Sequence, residues 1–525
     1  MTRADWWQLA ILGAALAVSS PLLGRYLARI YTGQPTFGDR VFGPVEHAIW
    51  RLVGLRHRPA QRWTAYAGSM LAFSLVSTLG LYAILRIQHW LPLNPTRVGN
   101  VPPALAFNTA VSFVTGTNWQ AYAGETTMSH LSQMAGLVVA QFTAAAVGMS
   151  VALALIRGLA HRSGQPRLGN FWEDLVRTIV RVLLPIAIVS ALVLISQGVV
   201  QNLHGFTNAT TVTGGTQRIP GGLAASQEVL KTLGTNGGGF YNANSAHPFE
   251  NPNGLTNLFE LFLVLVLPFA IPLMYGRMIG DRRQGRAILA VMTVLWLLQT
   301  TVAIAAETGG NPRLATVADQ TATATQPGGN LEGKEIRLGP GGVGSGLYAI
   351  LVYALLAVFA GGLMVGRTPE YLGKKIRGPQ MTLVVFFLLV LPAVVLGFSA
   401  AAALLPGALG SRLNPGMHGL AEIVYAYASA ANGNGSAFAG LSANTPWYNT
   451  TLGLAMLAGR YLTIIPVLAL AGSLARERVH AHSTATLPTQ RPVFVSLHLG
   501  IILLLGGLSY LPMLVLGLIG EAFQT

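Results

Sequence analysis

Polar, glycine-rich chain lying between two stretches that are each apolar enough to cross a bilayer limits the fold more than any other feature of this sequence. Residues 231–252 read KTLGTNGGGFYNANSAHPFENP, with Gly234, Gly237, Gly238 and Gly239 set among Thr and Asn, and apolar runs of spanning length stand on either side at 177–199 and 255–276. Backbone outside a helix at membrane depth leaves N–H and C=O groups without partners. It is tolerated only where protein buries it or where it lines a water-filled cavity. In a cation pathway the same carbonyls replace the ion's hydration shell, and glycine reaches the φ values that turn successive carbonyls toward one axis. The stretch reads as a selectivity-filter loop.

Of the 525 residues, 52% are hydrophobic and 10% are charged, against about 25% charged in soluble domains. The chain is therefore a polytopic membrane protein. A spanning helix needs about 20 mostly apolar residues, and ten runs qualify: 6–25, 64–88, 130–156, 177–199, 255–276, 286–306, 343–366, 380–404, 450–475 and 494–519. A net charge of +15 would suit a nucleic-acid binder if spread over a soluble surface. Here the basic residues gather in short connections between apolar runs, so no nucleic acid is expected and the lipid bilayer is the partner. The absence of cysteine rules out disulfides, thiolate metal sites and a cysteine nucleophile. The run that starts at Trp6 ends at Ser19-Ser20-Pro21 with more apolar and basic residues behind it, which predicts a retained first helix rather than a signal peptide.

Arg and Lys set the orientation. They cluster after the first run (Arg40, Arg51, Arg56, Arg58, Arg62), the third (Arg157, Arg162, Arg167), the fifth (Arg282, Arg283, Arg286), the seventh (Arg367, Lys374, Lys375, Arg377) and the ninth (Arg476, Arg478, Arg491). These are alternate connections, so the positive-inside rule makes them cytoplasmic and puts both termini outside. The expected location is the cell inner (plasma) membrane. Three Gly/Asn/Thr-rich stretches then share the outer side: 107–125, the opening stretch, and 421–448. In each, a short apolar segment leads into the polar cluster, as in a re-entrant half-helix with an extended return. Thr115-Gly116-Thr117-Asn118 echoes Gly234-Thr235-Asn236-Gly237. One such loop alone reads as an ordinary turn; three on one side point to repeated helix, pore loop, helix units, whose interface is where substrate binds.

At these residues the sequence resembles the KdpA family, the potassium-binding subunit of the Kdp potassium-transporting P-type ATPase. The matching segments are AFNTAVSFVTGTNWQ (106–120), SQEVLKTLGTNGGGFYNANSAHPFENP (226–252), GDRRQGR (280–286), GRTPEYLGKKI (366–376) and NGSAFAGLSAN (434–444). The resemblance implies an all-α, potassium-channel-like fold. Extra helices at 1–30 and 490–525 would flank pore units at 60–160, 170–280, 283–370 and 378–478. It implies potassium binding from outside, with ATP hydrolysed by a separate P-type subunit (KdpB) and with small accessory membrane subunits (KdpC, KdpF). The chain has neither a GxxxxGK(S/T) loop nor a DKTGT-like phosphorylation motif, so no ATP bound by this chain is expected. A stand-alone channel or ion-coupled potassium transporter is the alternative, and a non-transporting assembly subunit the third reading.

Two departures from the family stand out. A third pore loop should precede GGVGSGLY (341–348), with an acidic residue just before it, but EGKEIRLG (332–339) runs almost directly into that stretch. A quarter of the filter ring is expected to be missing. Gly116 and Gly433 stand where the family usually has Asn, which puts the rigidity of those turns in question.

Potassium needs several oxygens, and converging carbonyl dipoles suffice without an anion. The candidate ligands are backbone oxygens of Thr115, Gly116, Thr117 and Asn118, of Gly234, Thr235, Asn236 and Gly237, and of Asn432, Gly433, Asn434 and Gly435. The resemblance makes Gln120 a brace for the first filter, with an ordinary surface glutamine as the other reading. Glu125 and Glu250 lie just outside two filters, where carboxylates would concentrate cations or simply be solvated. His247 has no second His at ligand spacing and reads as a loop hydrogen-bonding residue. Arg460 interrupts an apolar span, a costly position that points to function. In the family such cations lie near the cytoplasmic end of the pathway and block leakage; Arg367, at a helix end, reads also as a positive-inside anchor.

Overall fold

The computed structural model describes residues 3–55, 58–161, 166–241, 245–309, 345–438, 440–480 and 486–514. Among these, ten helices are long and apolar enough to cross a membrane: Trp6–Tyr31, Trp63–Trp90, Ser132–Ala160, Phe171–Ser196, Gly254–Met278, Arg282–Ala306, Ser345–Met364, Gly378–Leu404, Pro446–Arg476 and Pro492–Ser509. They coincide with the ten apolar runs. The fourth starts earlier than its run because the Asn170 side chain accepts hydrogen bonds from the N–H groups of Trp172 and Glu173. That cap opens an acidic first turn, Glu173 and Asp174, at the positive end of the helix dipole.

Burial sorts the spans. In the third and fifth, 83% and 72% of the apolar stretch is inside the protein, against 22% in the first and second and 28% in the eighth. The third and fifth form the hub, and the outer spans keep apolar side chains such as Leu75, Val76 and Leu389 exposed, as lipid contact requires.

Short helices precede three of the connections between spans: Pro103–Thr115, Ala224–Leu233 and Gly416–Ala431. At 1.5 Å rise per residue none reaches across a hydrocarbon core of about 30 Å. Each stops inside the bundle and hands over to non-helical chain. The connection expected to lack its loop, between the sixth and seventh spans, lies outside the described residues.

The opposite ends of the spans are tied by buried charge. Arg157, which the sequence offers only as an orientation residue, makes a two-pronged pair with Asp174 (Nη1–Oδ2 2.6 Å, Nη2–Oδ1 2.8 Å), and the Tyr66 hydroxyl donates to the same carboxylate at 2.9 Å. The GRTPEYLGKKI segment forms a two-residue antiparallel hairpin, Glu370–Tyr371 with Lys374–Lys375, turned by Leu372 and Gly373 at φ 54° and 76°. Those signs are the ones a tight type I′ turn demands. The hairpin buries Lys374, whose Nζ donates to the carbonyls of Gly158 (2.8 Å) and Leu474 (2.6 Å) at the ends of the third and ninth spans. A second small hairpin, Thr207–Thr210 with Thr216–Ile219, sits in the connection before the second half-helix.

Candidate functional site

The three half-helices end in one shared backbone closure. In each loop the third residue of the filter quartet returns its N–H to the carbonyl five residues back: Thr117 to Ser112 (3.0 Å), Asn236 to Lys231 (2.9 Å) and Asn434 to Ser429 (2.9 Å). The second residue of each quartet is left-handed, with φ 76° at Gly116, 56° at Thr235 and 69° at Gly433. This is how a helix C-terminus satisfies its last carbonyls while the chain reverses. Glycine and asparagine are the residues that enter this region most readily, so Gly116 and Gly433 preserve the turn that Asn would make. Thr235 is β-branched and has no such licence; holding it there costs roughly 1–3 kcal/mol, strain of the kind that gathers at functional sites.

The quartets open onto a single cavity of about 610 Å³. Thr115, Gly116 and Thr117 line it from the first loop, Gly234, Thr235 and Asn236 from the second, and Asn432, Gly433 and Asn434 from the last. Three helix C-termini therefore converge on one space and bring partial negative charge to it. The remaining side is lined by Gln299 of the sixth span and by Ser345, Gly346 and Tyr348 of the seventh. Among the described lining residues Arg460 is the one ionised side chain. The space suits a cation held by oxygen dipoles rather than by carboxylates.

Asn118, Gly237 and Gly435, the fourth residues of the quartets, do not line this cavity. They hold the loops against one another. A Cβ on Gly435 would stand 1.6 Å from the Thr117 carbonyl oxygen, and one on Gly237 would stand 2.6 Å from the Asn434 carbonyl oxygen. Asn118 is fully buried, with neither amide atom hydrogen-bonded among the described residues.

Gln120 bridges two loops. Its Oε1 accepts the Gly239 N–H at 2.8 Å and its Nε2 donates to the Gly239 carbonyl at 3.2 Å. It is 7% exposed, which sets aside the surface reading. Glu250 departs from the expectation of a mouth charge. It has no exposed surface, and its carboxylate accepts the N–H groups of Phe240 (2.9 Å), Tyr241 (3.1 Å) and Ser245 (3.1 Å). Burial pushes its carboxyl above the usual carboxylate range, against the pull of Lys231. Its work is to fold the return limb. Glu125 is half-buried. His247 stacks on Tyr241 with ring centroids 4.1 Å apart, and its Nδ1 accepts the Phe249 N–H at 3.1 Å.

The two arginines separate. Arg460 lines the cavity and its Nη2 donates to the Ala144 carbonyl at 3.1 Å. Arg367 is exposed beyond the end of the seventh span, away from the cavity, and its Nη1 donates to the Thr486 carbonyl at 3.1 Å. That surface position fits the anchor reading of Arg367.

Behind the second loop lies a network that the sequence reading passed over. Lys231, 2% exposed, is ion-paired with the fully buried Glu228 and donates from Nζ to Ser245 Oγ, which donates in turn to Glu228 Oε1 at 2.5 Å. The available signal was the spacing: opposite charges three apart on a short helix between two spans.

Comparison with known proteins follows the same lines. The KdpA family, described as the potassium-transporting ATPase A subunit, matches residues 10–341 and 339–523. A Mycobacterium tuberculosis protein named potassium-transporting ATPase potassium-binding subunit is 49% identical over 571 residues, covering 100% of both chains. Proteins of the same name from Rhodospirillum centenum and Solibacter usitatus are each 47% identical, the first over 565 residues (99% of this chain, 98% of the relative) and the second over 559 (98% and 97%). The mycobacterial alignment runs over 571 positions and this chain has 525 residues, which leaves 46 positions unfilled. With the family matched along nearly its whole length, and with its half-helices and their loops gathered around one cavity, the chain belongs to the KdpA family of potassium-transporting ATPase A subunits.

Proposed function

We propose that this chain takes potassium from the extracytoplasmic side and holds it with backbone oxygens of the Thr115, Gly234 and Asn432 quartets, as the potassium-binding subunit of an ATP-driven uptake complex whose catalytic subunit is a separate P-type ATPase. The observation that carries the reading is the convergence of three identically closed half-helix C-termini on one cavity without a carboxylate in its described lining. The first three residues of each quartet are the ligand candidates; Asn118, Gly237 and Gly435 act by holding the loops together. Arg460 closes the inner side of the cavity with positive charge, which opposes passive leakage. The Arg-rich connections support cytoplasmic placement of that side, in the cell inner membrane, with both termini outside.

A missing third pore loop is part of this reading. Its support is the family match, which divides at 339–341, together with the 46 unfilled positions of the mycobacterial alignment. The pore units at 60–160, 170–280 and 378–478 are then complete, and the unit at 283–370 contributes helices and whatever the connection outside the described residues supplies.

The test is rescue of a potassium-uptake-deficient bacterium at low potassium. Growth is expected only when the P-type and accessory subunits are present and the absent segment is restored from a relative; growth with this chain alone would establish the stand-alone transporter instead. Gln120→Ala removes two hydrogen bonds to Gly239, together worth about 1–3 kcal/mol. In the restored complex it should raise the potassium half-saturation of ATPase activity roughly tenfold. An unchanged half-saturation would reduce Gln120 to packing.

A further inference from the structure

The first cytoplasmic connection carries a helix, Asp39–Leu52, that the apolar runs do not predict. Its inner face carries a buried carboxylate held by an arginine. Glu46 and Trp50 are buried, and the Glu46 carboxylate takes Arg181 of the fourth span in two bonds (Nε–Oε1 2.6 Å, Nη2–Oε2 2.8 Å). Asp39 pairs with the same guanidinium and also accepts from Thr36. Both carboxylates of the helix are thus spent on the protein.

Its outer face is the reverse of a soluble helix. Val41, Val45 and Leu52 are 66%, 43% and 87% exposed, and Ala48 is exposed with them. These positions fall at i, i+4, i+7 and i+11, one continuous stripe. Beside it, Arg40, His47 and Arg51 are exposed along a parallel stripe. An apolar stripe next to a basic one, with Glu46 buried and the partly exposed Asp39 neutralised by Arg181, is the chemistry of a helix lying in a membrane interface against anionic headgroups.

We propose that the Asp39–Leu52 helix is an anionic-phospholipid contact: Val41, Val45, Ala48 and Leu52 rest at the acyl boundary of the cytoplasmic leaflet, and Arg40 and Arg51 take headgroup phosphates. Arg181 is the post that fixes the helix's rotation, because it draws both carboxylates inward. A lipid is favoured over an acidic protein surface because the helix sits in a connection between two spans, beside the bilayer they cross.

The chain has no cysteine, so Ala48→Cys gives a single labelling site. A nitroxide there, in the assembled complex with cysteine-free partners, is placed in nanodiscs of phosphatidylcholine alone or mixed with phosphatidylglycerol. Its accessibility to oxygen and to a nickel chelate is then measured. With phosphatidylglycerol the label is expected to be open to oxygen and shielded from nickel. Each basic residue near an anionic surface shifts the equilibrium roughly fivefold, so Arg40→Gln with Arg51→Gln should move the shielded population back by roughly thirtyfold. Both arginines are exposed, so the variant leaves the fold intact. Nickel access in both lipids would place the helix in water. Shielding indifferent to lipid charge, or persisting in detergent, would assign the surface to plain apolar insertion or to a protein partner; each of these results overturns the proposal. The inference rests on the cytoplasmic placement proposed above, but it fails independently of the potassium reading, because the label reports depth without transport.

Discussion

In the complex with its absent segment restored, the background for every variant below, Gly435→Ala is expected to abolish high-affinity potassium uptake while the protein still reaches the membrane. The new methyl group would meet the Thr117 carbonyl oxygen at 1.6 Å, far inside contact distance, and the residue is held at φ 79°. The left-handed backbone alone costs a non-glycine residue roughly 1–2 kcal/mol. The clash can be relieved only by moving the first loop away from the last, which pulls Thr117 out of the cavity lining. Potassium half-saturation should rise on the order of a hundredfold or become unmeasurable. The contrast is Gly433→Asn, also left-handed at φ 69°, where the nearest atom to an added Cβ is the Thr117 hydroxyl at 4.0 Å. It should stay close to wild type, because Asn adopts this backbone and the space is open. Equal behaviour of the two variants would mean that contact between loops does not position the filter.

Lys231→Met should be nearly as damaging, through charge rather than space. It would leave the Glu228 carboxylate, fully buried, without its cation, and breaking a buried pair in this way costs about 3–5 kcal/mol. The cost falls on the second loop, because Lys231 also supplies the carbonyl that accepts the Asn236 N–H, and its Nζ holds Ser245, whose own N–H is bound by Glu250. The expected result is a loss of potassium affinity on the order of a hundredfold, greater than the loss of thermal stability of the whole chain would explain. Adding Glu228→Gln removes the stranded charge and should recover part of the affinity, a non-additive pair. If the double variant is simply worse by the sum of the two singles, the network is not acting as a unit.

Much of this protein is legible before any coordinates. The ten spans follow from hydropathy, since in lipid every backbone group must be satisfied within its own helix and an apolar run of sufficient length has one solution. The half-helices are legible for the same reason in reverse: segments such as Pro103–Thr115 are too short to cross, yet lie where only protein can receive them. The helix Asp39–Leu52 escaped because it is neither long nor continuously apolar, and its signal is the spacing of Val41, Val45, Ala48 and Leu52.

Glu250 shows where that reading stops. It was placed by its distance along the chain from a filter, and it turned inward to three N–H groups. In an irregular loop, side-chain direction depends on a few φ values and on partners far away in the chain. Nothing periodic announces them.

Sequence by itself determined the class, the number of spans, the three short half-helix stretches with their Gly/Asn/Thr-rich loops, and, through its motifs, the family. The class and spans rest on composition and hydropathy and the family on matching motifs, which belong to each segment separately. Tertiary structure alone decided that the first three residues of each quartet face the cavity while the fourth packs loop against loop. It also decided that Gln120 reaches 119 residues onward to Gly239, and that Lys231 and Glu250 form the inner frame of the second loop. Those arrangements exist only once helices from distant parts of the chain are packed, because each depends on a carbonyl, amide or charge that another loop brings into place.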